Sequence, residues 1–285
     1  MQQRHLMQRL GFCAFALPFA LLCCAAAQAQ TGEAPRAYEE IFYSSGKLRI
    51  EAYLYKPEGK GPFPVVIYNH GSRPGSERVE RPFAYVGRML AANGYLVLVP
   101  ERRGYGKSEG TPFVEEIGDD RGPRYVARLQ QEADDVIAAA EFVKTLPGAN
   151  ASRIAVMGWS FGGIVSVFAA SRSTLFRAVV DQAGGALSWD GSPALQSALK
   201  DAAGKIRVPF LGMVAENDRT TKSVKVVVEE AKKRGDNTKL IVYPAFKPHE
   251  NPNGNVAPGH MIFSAEGISL WQSDVKEFLV REMAS

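Results

Sequence analysis

The segment GWSFGG, residues 158–163, places Ser160 between glycines, directly after the apolar run RIAVM and directly before a helical run. A sharp turn between a strand and a helix holds a serine in a strained conformation, so that its hydroxyl projects above the carboxyl edge of a sheet. The amide of Phe161, at the start of the helix, faces the same space and can stabilise an oxyanion. The pattern predicts that Ser160 is a nucleophile.

A serine hydroxyl is a weak nucleophile and needs a general base to take its proton. On a strand–turn–helix scaffold, an acid and then a histidine follow the serine along the chain. Two histidines lie downstream of Ser160, namely His249 and His260. We predict that His260 is the base, because it follows a glycine and directly precedes the last helical run. His249 lies closer to the last predicted strand and is the rival.

An acid that orients this base should follow one of the later strands. After the apolar run FLGMV the sequence reads AENDRT, which offers Glu216 and Asp218. We predict that Asp218 is the acid, since it lies at the end of the turn, where its side chain can reach back over the strand edge. Asp218 as the cap of the next helix is the alternative, and Asp181, after the preceding strand, is a third candidate.

A second oxyanion donor is expected in the loop after the strand PVVIY, which reads NHGS. The amide of Ser72 is predicted to pair with that of Phe161, while His70 shapes the turn. A metal-binding role for His70 is the alternative, but no Cys, His or carboxylate cluster with the spacing of a metal site accompanies it. The sequence therefore predicts a site without a metal or an organic cofactor.

The elements that must position these residues alternate between strands and helices. Apolar runs rich in β-branched residues are typical of strands buried on both faces of a parallel sheet. The alternation predicts one α/β domain, a mostly parallel sheet with helices on both faces. Only one helix, residues 193–203, fits between the strands that end near 181 and begin near 210, so we expect no large cap domain. Strands are predicted at 48–55, 64–68, 95–99, 153–157, 178–181, 210–214 and 240–243, and further helices at 83–93, 125–146, 161–171, 222–234 and 268–282.

Composition excludes several classes of protein. The 285 residues are 46% hydrophobic and 22% charged, which is too apolar for a disordered chain. The net charge of +4 is small, and the basic residues are scattered, so the chain lacks the basic patch of a nucleic-acid-binding protein.

The first 29 residues are predicted to be a signal peptide. Arg4 and Arg9 give a positive start, residues 10–24 are a short apolar run, and Ala27 and Ala29 supply the small side chains of a cleavage site. The run is shorter than the roughly 20 residues that span a bilayer, which disfavours the alternative of an uncleaved anchor. Cleavage after Ala29 would leave residues 30–285 as the exported domain, periplasmic or secreted.

All three cysteines, Cys13, Cys23 and Cys24, lie in this predicted signal segment. The mature chain would therefore contain no disulfide and no catalytic thiol. A leucine rather than a small residue precedes Cys23, so the segment is a poor match for a lipoprotein signal.

Together these motifs give the chain a family resemblance. NHGS, RRGYGKSEG, GWSFGG, AENDRT and PGHMIF, in this order, resemble the α/β-hydrolases of the dienelactone hydrolase-like group, close to the hydrolase domain of prolyl oligopeptidase-type peptidases. The resemblance implies an α/β-hydrolase fold, with Ser160 as nucleophile, Asp218 as acid and His260 as base. Dienelactone hydrolase itself uses a cysteine nucleophile, which argues against dienelactone as substrate, and the propeller of the oligopeptidases is missing.

Residues beside the serine are candidates for a substrate pocket. Trp159, Phe161 and Tyr105 are predicted to form an aromatic wall, although burial in the core is the alternative. A basic rim that includes Arg103 is predicted to favour substrates with a carboxylate, unless neighbouring glutamates neutralise it. The rim contains Arg73, Arg78, Arg81, Arg102 and Arg103, and the glutamates are Glu77, Glu80, Glu101 and Glu109.

The sequence thus predicts an exported serine hydrolase that cleaves small-molecule carboxylic esters through an acyl-enzyme. A peptidase or amidase with the same three residues is the nearest alternative. A non-catalytic binding protein on the same fold is the alternative of another class. No nucleic-acid partner and no membrane insertion after cleavage are expected, and the oligomeric state stays open.

Overall fold

The computed structural model of the chain describes residues 37–73, 78–234, 237–249 and 256–284. The predicted signal peptide, residues 1–29, lies outside these residues and stays a prediction. Within the described segments, every helix is too short or too polar to cross a lipid bilayer.

Eight strands form a single sheet: β1 (Glu39–Ser45), β2 (Leu48–Tyr55), β3 (Phe63–Asn69), β4 (Leu96–Pro100), β5 (Ala149–Trp159), β6 (Phe176–Gln182), β7 (Phe210–Ala215) and β8 (Thr238–Tyr243). Their order across the sheet is β1-β2-β4-β3-β5-β6-β7-β8. The pairs β1–β2 and β2–β4 are antiparallel, and every other pair is parallel. The carboxyl ends of β3, β5, β6 and β7 therefore meet at one edge of the sheet.

Helices cover both faces of this sheet. In the described part of the chain they are α1 (Ala84–Ala91), α2 (Phe113–Ile117), α3 (Pro123–Val143), α4 (Phe161–Arg172), α5 (Pro193–Ala203), α6 (Lys222–Lys232) and α7 (Ile268–Met283), with a 3₁₀ helix at Pro258–Phe263. Helices α3, α4, α5 and α6 contact one another in succession, whereas α1 contacts α7, which gives two helical layers with the sheet between them.

The central elements are buried because their sequences are apolar on every side. All five residues of β4 are buried, as are residues 161–170 of α4, which follows the predicted nucleophile. A helix without a polar face must be enclosed by the fold. The core thus holds the start of α4 rigidly against the ends of β3 and β5.

The predicted fold class is confirmed, including the parallel core and the lack of a large cap. Between β6 and β7 the chain forms a turn and one helix, α5, as expected. The alternation of apolar and polar residues in 48–55 predicts a half-buried strand, but this is wrong, since every residue of β2 from Ile50 to Tyr55 is buried. Strand β1, which was not predicted, covers the outer edge of β2. The carboxylate of buried Glu51 accepts the amide of Lys107 at 2.5 Å.

Candidate active site

Ser160 lies between the end of β5 and the first residue of α4, with φ 58° and ψ −115°. A non-glycine residue with positive φ is strained, and such strain persists only where the surrounding structure enforces it. The neighbouring glycines allow the close packing that does so. A Cβ on Gly162 would lie 1.9 Å from the carbonyl oxygen of Asn69, and one on Gly158 would lie 2.2 Å from the carbonyl oxygen of Gly162.

Three side chains form a hydrogen-bonded series at this turn. The Oγ of Ser160 lies 2.8 Å from Nε2 of His260, and Nδ1 of the same ring lies 2.8 Å from Oδ2 of Asp218. Since a carboxylate can only accept, the imidazole carries its proton on Nδ1 and leaves the Nε2 lone pair for the serine hydroxyl. All three residues are buried, so the series is shielded from competing water.

The loops after β7 and β8 hold the two partners of Ser160. Asp218 follows β7, and its Oδ1 accepts the amide of Arg219 at 2.6 Å. His260 lies in the 3₁₀ helix, where the indole N–H of Trp159 donates to its carbonyl oxygen at 3.1 Å. The aspartate and the imidazole are therefore held by backbone contacts on separate elements.

The structure separates the rival residues from Ser160. His249 is exposed, and its ring and amide both bind the carboxylate of Glu266, at 2.5 and 2.8 Å. Glu216 is exposed and accepts the amide of Ala245 at 3.0 Å. Neither rival side chain contacts the serine or His260.

Asp181, the third candidate acid, is buried beside α4 instead. Its Oδ1 accepts the amide of Gly184 at 2.9 Å and lies where a Cβ on Gly163 would clash. Burial raises the pKa of this carboxyl from 3.8 to about 7, and the hydrogen bond from Gly184 offsets only part of the effect. Asp181 supports the turn after β6 rather than the imidazole.

The raised pKa makes stability depend on pH. In the unfolded chain Asp181 ionises near pH 4, but in the folded chain it holds its proton until about pH 7. The folded chain therefore binds a proton that the unfolded chain has released, and the free energy of unfolding falls as the pH rises from about 4 to about 7. Asp181→Asn keeps an acceptor for Gly184 but cannot ionise. We expect its free energy of unfolding, relative to that of wild type, to be higher at pH 8 than at pH 5. Urea unfolding at both pH values measures this, and an unchanged difference would contradict it.

Ser72 and Phe161 lie beside Ser160, as expected of the two oxyanion donors. Both line the same cavity as the serine, and a Cβ on Gly71 would lie 3.6 Å from that of Ser160. Neither amide donates to another residue in the segments that the structure describes. His70, in the same loop as Ser72, is buried, and its ring stacks on Phe83 with centroids 5.1 Å apart.

The cavity above Ser160 has a volume of about 680 Å³, in the range of small-molecule sites. Tyr105 lines it, as the sequence predicts, together with Phe113, Tyr125 and Phe161. The Phe113 ring packs edge-on against Phe161 and Tyr125, with centroids 4.8 and 5.5 Å away. Phe113 could not be predicted from the sequence, because α2 is too short to show a helical period. The apolar pair of Phe113 and Val114 in a glycine-rich loop was its only signal.

Two predicted pocket residues do not line this cavity. Trp159 packs against His260 instead, with ring centroids 5.8 Å apart. Arg103 is held on α3 by two hydrogen bonds to Asp135, both 2.7 Å long. Both side chains are thus engaged by neighbouring residues outside the cavity wall.

Carboxylates do neutralise much of the predicted basic rim, but most of these carboxylates are not the glutamates that were expected to do so. Glu101 pairs with Arg73, as expected, whereas Glu132 lies 3.4 Å from Arg102. Of the other glutamates, Glu77 lies outside the described residues. The cavity gains two arginines that were not predicted, Arg121 and Arg219. Among the described residues, no group of three or more His, Cys or carboxylate side chains is arranged to hold a metal ion.

Comparison with known proteins places this chain in a family. The model of the Dienelactone hydrolase family matches residues 50–260, a segment that contains Ser160, Asp218 and His260. The quorum-quenching protein AidA of Acinetobacter baumannii is 28% identical over 148 residues, which cover 52% of this chain and 44% of AidA. A probable dipeptidyl-aminopeptidase B of Fusarium vanettenii is 34% identical over 115 residues, 39% of this chain and 11% of the peptidase. The matches thus span less than half of these relatives.

Solved structures share the fold. An esterase of Pyrococcus furiosus superposes with a TM-score of 0.62 at 21% identity, covering 87% of this chain and 92% of the esterase. The acylaminoacyl peptidase of Pyrococcus horikoshii gives 0.63 at 18% identity, covering 87% of this chain and 42% of the peptidase. At this identity the likeness establishes the α/β-hydrolase fold.

Proposed function

Because the chain belongs to the dienelactone hydrolase family, and is thus a dienelactone hydrolase-like hydrolase, we propose that it is a serine hydrolase that cleaves carboxylic esters through an acyl-enzyme. The observation that carries the proposal is the hydrogen-bonded series from Ser160 through His260 to Asp218, with two links of 2.8 Å, beside an open cavity.

In the proposed reaction, Ser160 Oγ attacks the ester carbonyl while Nε2 of His260 takes the hydroxyl proton. Asp218 holds the imidazole by its Nδ1–H and stabilises the positive charge that forms. The amides of Ser72 and Phe161 donate to the oxyanion. The tetrahedral intermediate then expels the alcohol, which takes the proton from His260. Water, activated by the same Nε2, attacks the acyl-enzyme and releases the acid and Ser160.

The lining of the cavity favours a substrate with an apolar acyl or aryl group beside the scissile bond. Its aromatic wall, formed by Tyr105, Phe113, Tyr125 and Phe161, provides apolar surface within reach of the serine. The serine itself distinguishes this chain from the cysteine hydrolases of the resembled group, since oxygen rather than sulfur would carry the acyl group.

Amide cleavage is the second candidate, because relatives carry the names of aminopeptidases and a structural neighbour is an acylaminoacyl peptidase. Both substrates pass through the same acyl-enzyme and differ in the leaving group. A third relative, thiohydrolase aneE of Aspergillus aculeatus, 25% identical over 146 residues, suggests thioesters as a further comparison.

The test compares substrates with one acyl group and three leaving groups. We expect the mature protein to hydrolyse p-nitrophenyl butyrate with a higher kcat/KM than a butyryl thioester or butyryl p-nitroanilide. p-Nitrophenyl acetate and octanoate then define the chain-length preference. Faster turnover of the anilide would support the peptidase. If no substrate is turned over and a fluorophosphonate does not label Ser160, the binding-protein alternative would be favoured.

We also propose that the domain acts after export, periplasmic or secreted, because residues 1–29 have the pattern of a signal peptide. N-terminal sequencing of the exported protein is expected to begin at Gln30. Recovery of the protein with an intact Met1 start would contradict export by this route.

A further inference from the structure

The carbonyl oxygen of the peptide between Gly71 and Ser72 accepts two hydrogen bonds from side chains. Nη1 of Arg102 donates to the Gly71 oxygen at 2.8 Å, and Nδ1–H of His70 donates to the same oxygen, also at 2.8 Å. We propose that Arg102 is a positioning residue, which orients and polarises this peptide so that its N–H, the amide of Ser72, can stabilise the oxyanion. The inference rests on the proposed function and adds a residue to it.

The geometry of a peptide explains how the contact acts. In a trans peptide the C=O and N–H point in opposite directions, so fixing the Gly71 carbonyl also fixes the direction of the Ser72 N–H. A charged donor on the carbonyl makes a stronger hydrogen bond than a neutral one, and it polarises the amide at the other end. A loop amide thereby gains the fixed orientation that effective oxyanion stabilisation requires.

Arg102 also contacts the element that carries the second donor. Its guanidinium carbon lies 4.2 Å from the ring centroid of Phe161 and 4.8 Å from that of Tyr105. The ring of Phe161 belongs to the residue whose amide is the other proposed oxyanion donor. One side chain thus touches both halves of the proposed oxyanion site.

The arginine is itself held in place. Its Nε lies 3.4 Å from Glu132, and Glu132 in turn binds Arg128 at 2.8 Å. The side chain of Arg102 is only 10% exposed. This guanidinium is fixed, and Glu132 partly balances its charge. It is therefore better suited to holding a peptide in place than to binding a substrate carboxylate.

The two roles predict different kinetics. A carboxylate-binding arginine would lower KM for anionic esters alone, because it contacts only their charged group. A positioning arginine acts on the transition state, so its loss lowers kcat for neutral and anionic esters alike. The comparison therefore uses p-nitrophenyl butyrate and the p-nitrophenyl monoester of succinic acid.

The experiment measures kcat and KM for wild type, Arg102→Met and Arg102→Lys, with thermal unfolding as the check on folding. We expect Arg102→Met to lose about 10- to 100-fold in kcat on both esters, a fraction of what loss of an oxyanion donor costs, with little change in KM. Arg102→Lys keeps the positive charge and a donor, so its kcat should lie between those of wild type and Arg102→Met. If Arg102→Met does not fold, the lysine variant carries the test.

Arg121→Met is the comparator, because Arg121 lines the same cavity but donates to the carbonyls of Gly118 and Asp120. It removes the same charge without touching the Gly71 carbonyl. The proposal requires the kcat of Arg102→Met to fall at least about tenfold below that of Arg121→Met. Equal effects of the two variants, or a loss confined to KM for the anionic ester, would overturn it.

Labelling of Ser160 by a fluorophosphonate separates this inference from the proposed function. Labelling also builds negative charge on an oxygen in the proposed oxyanion site, so Arg102→Met should slow it even if the natural substrate is not an ester. Wild-type protein that is neither labelled nor active would contradict the proposed function and this inference together. Labelling that is fast in both proteins would overturn the role of Arg102 alone.

Discussion

Replacing Ser160 with alanine is expected to lower kcat for p-nitrophenyl butyrate by about a millionfold, to the level left by binding and the oxyanion donors. The reason is that Oγ is the atom that would bond to the acyl group, and its 2.8 Å link to His260 supplies the route for its proton. Initial rates at saturating substrate measure the loss, and an unchanged thermal unfolding curve shows that the fold persists.

His260→Ala should cost about as much as Ser160→Ala, and the double variant little more, because the two side chains act as one unit. His249→Ala is the matched control, since His249 is exposed and bound to Glu266. It is expected to keep wild-type kcat. Additive losses in the double variant, or a large loss in His249→Ala, would contradict the assignment.

The position of Ser160 at a strand–helix turn could be predicted from the sequence because it depends on a local pattern. A strand, a glycine-rich turn and a helix follow one another within residues 153–171, and this order is the context that the motif requires. The choice of His260 over His249 used position along the chain, and the structure places His260 beside the serine. Fold class was predictable for a similar reason, since the buried strands are continuous apolar runs.

The cavity walls could not be predicted in the same way. Phe113 lies 48 positions before Phe161 in the chain, yet their rings touch, with centroids 4.8 Å apart. Such a contact depends on how a long loop folds back over the sheet edge, and no periodicity records it. Arg102 and Arg103 show the same limit. They are neighbours in sequence and both pair with α3, but Arg102 also lines the cavity whereas Arg103 does not.

Charge partners were harder still to predict. Glutamates near in sequence were the expected partners of the basic rim, but Arg102 and Arg103 pair with Glu132 and Asp135 on one face of α3. Residues three apart on a helix lie on the same face, so α3 presents both carboxylates to the strand end. Helix α3 thus contacts both arginines, and Arg102 in turn donates to the Gly71 carbonyl in the loop beside Ser160.

Replacing Asp218 with asparagine is expected to lower kcat by about ten-thousandfold while leaving the fold intact. The carboxylate accepts Nδ1–H of His260 at 2.8 Å, which keeps the lone pair of Nε2 directed at Ser160. An amide at this position can donate to Nδ1 and so favour the tautomer that carries its proton on Nε2. A base in that tautomer cannot accept the serine proton, and its imidazolium would also lose its counter-charge.

Glu216→Gln is the matched control, because Glu216 precedes Asp218 by two residues on the same loop but is exposed and binds the amide of Ala245. We expect its kcat to stay within about twofold of wild type, as for other surface changes. The rate of fluorophosphonate labelling of Ser160 should fall in Asp218→Asn and not in Glu216→Gln. The reverse order, or equal losses in both variants, would place the orienting acid elsewhere, since only the carboxylate that binds His260 can set the tautomer of its ring.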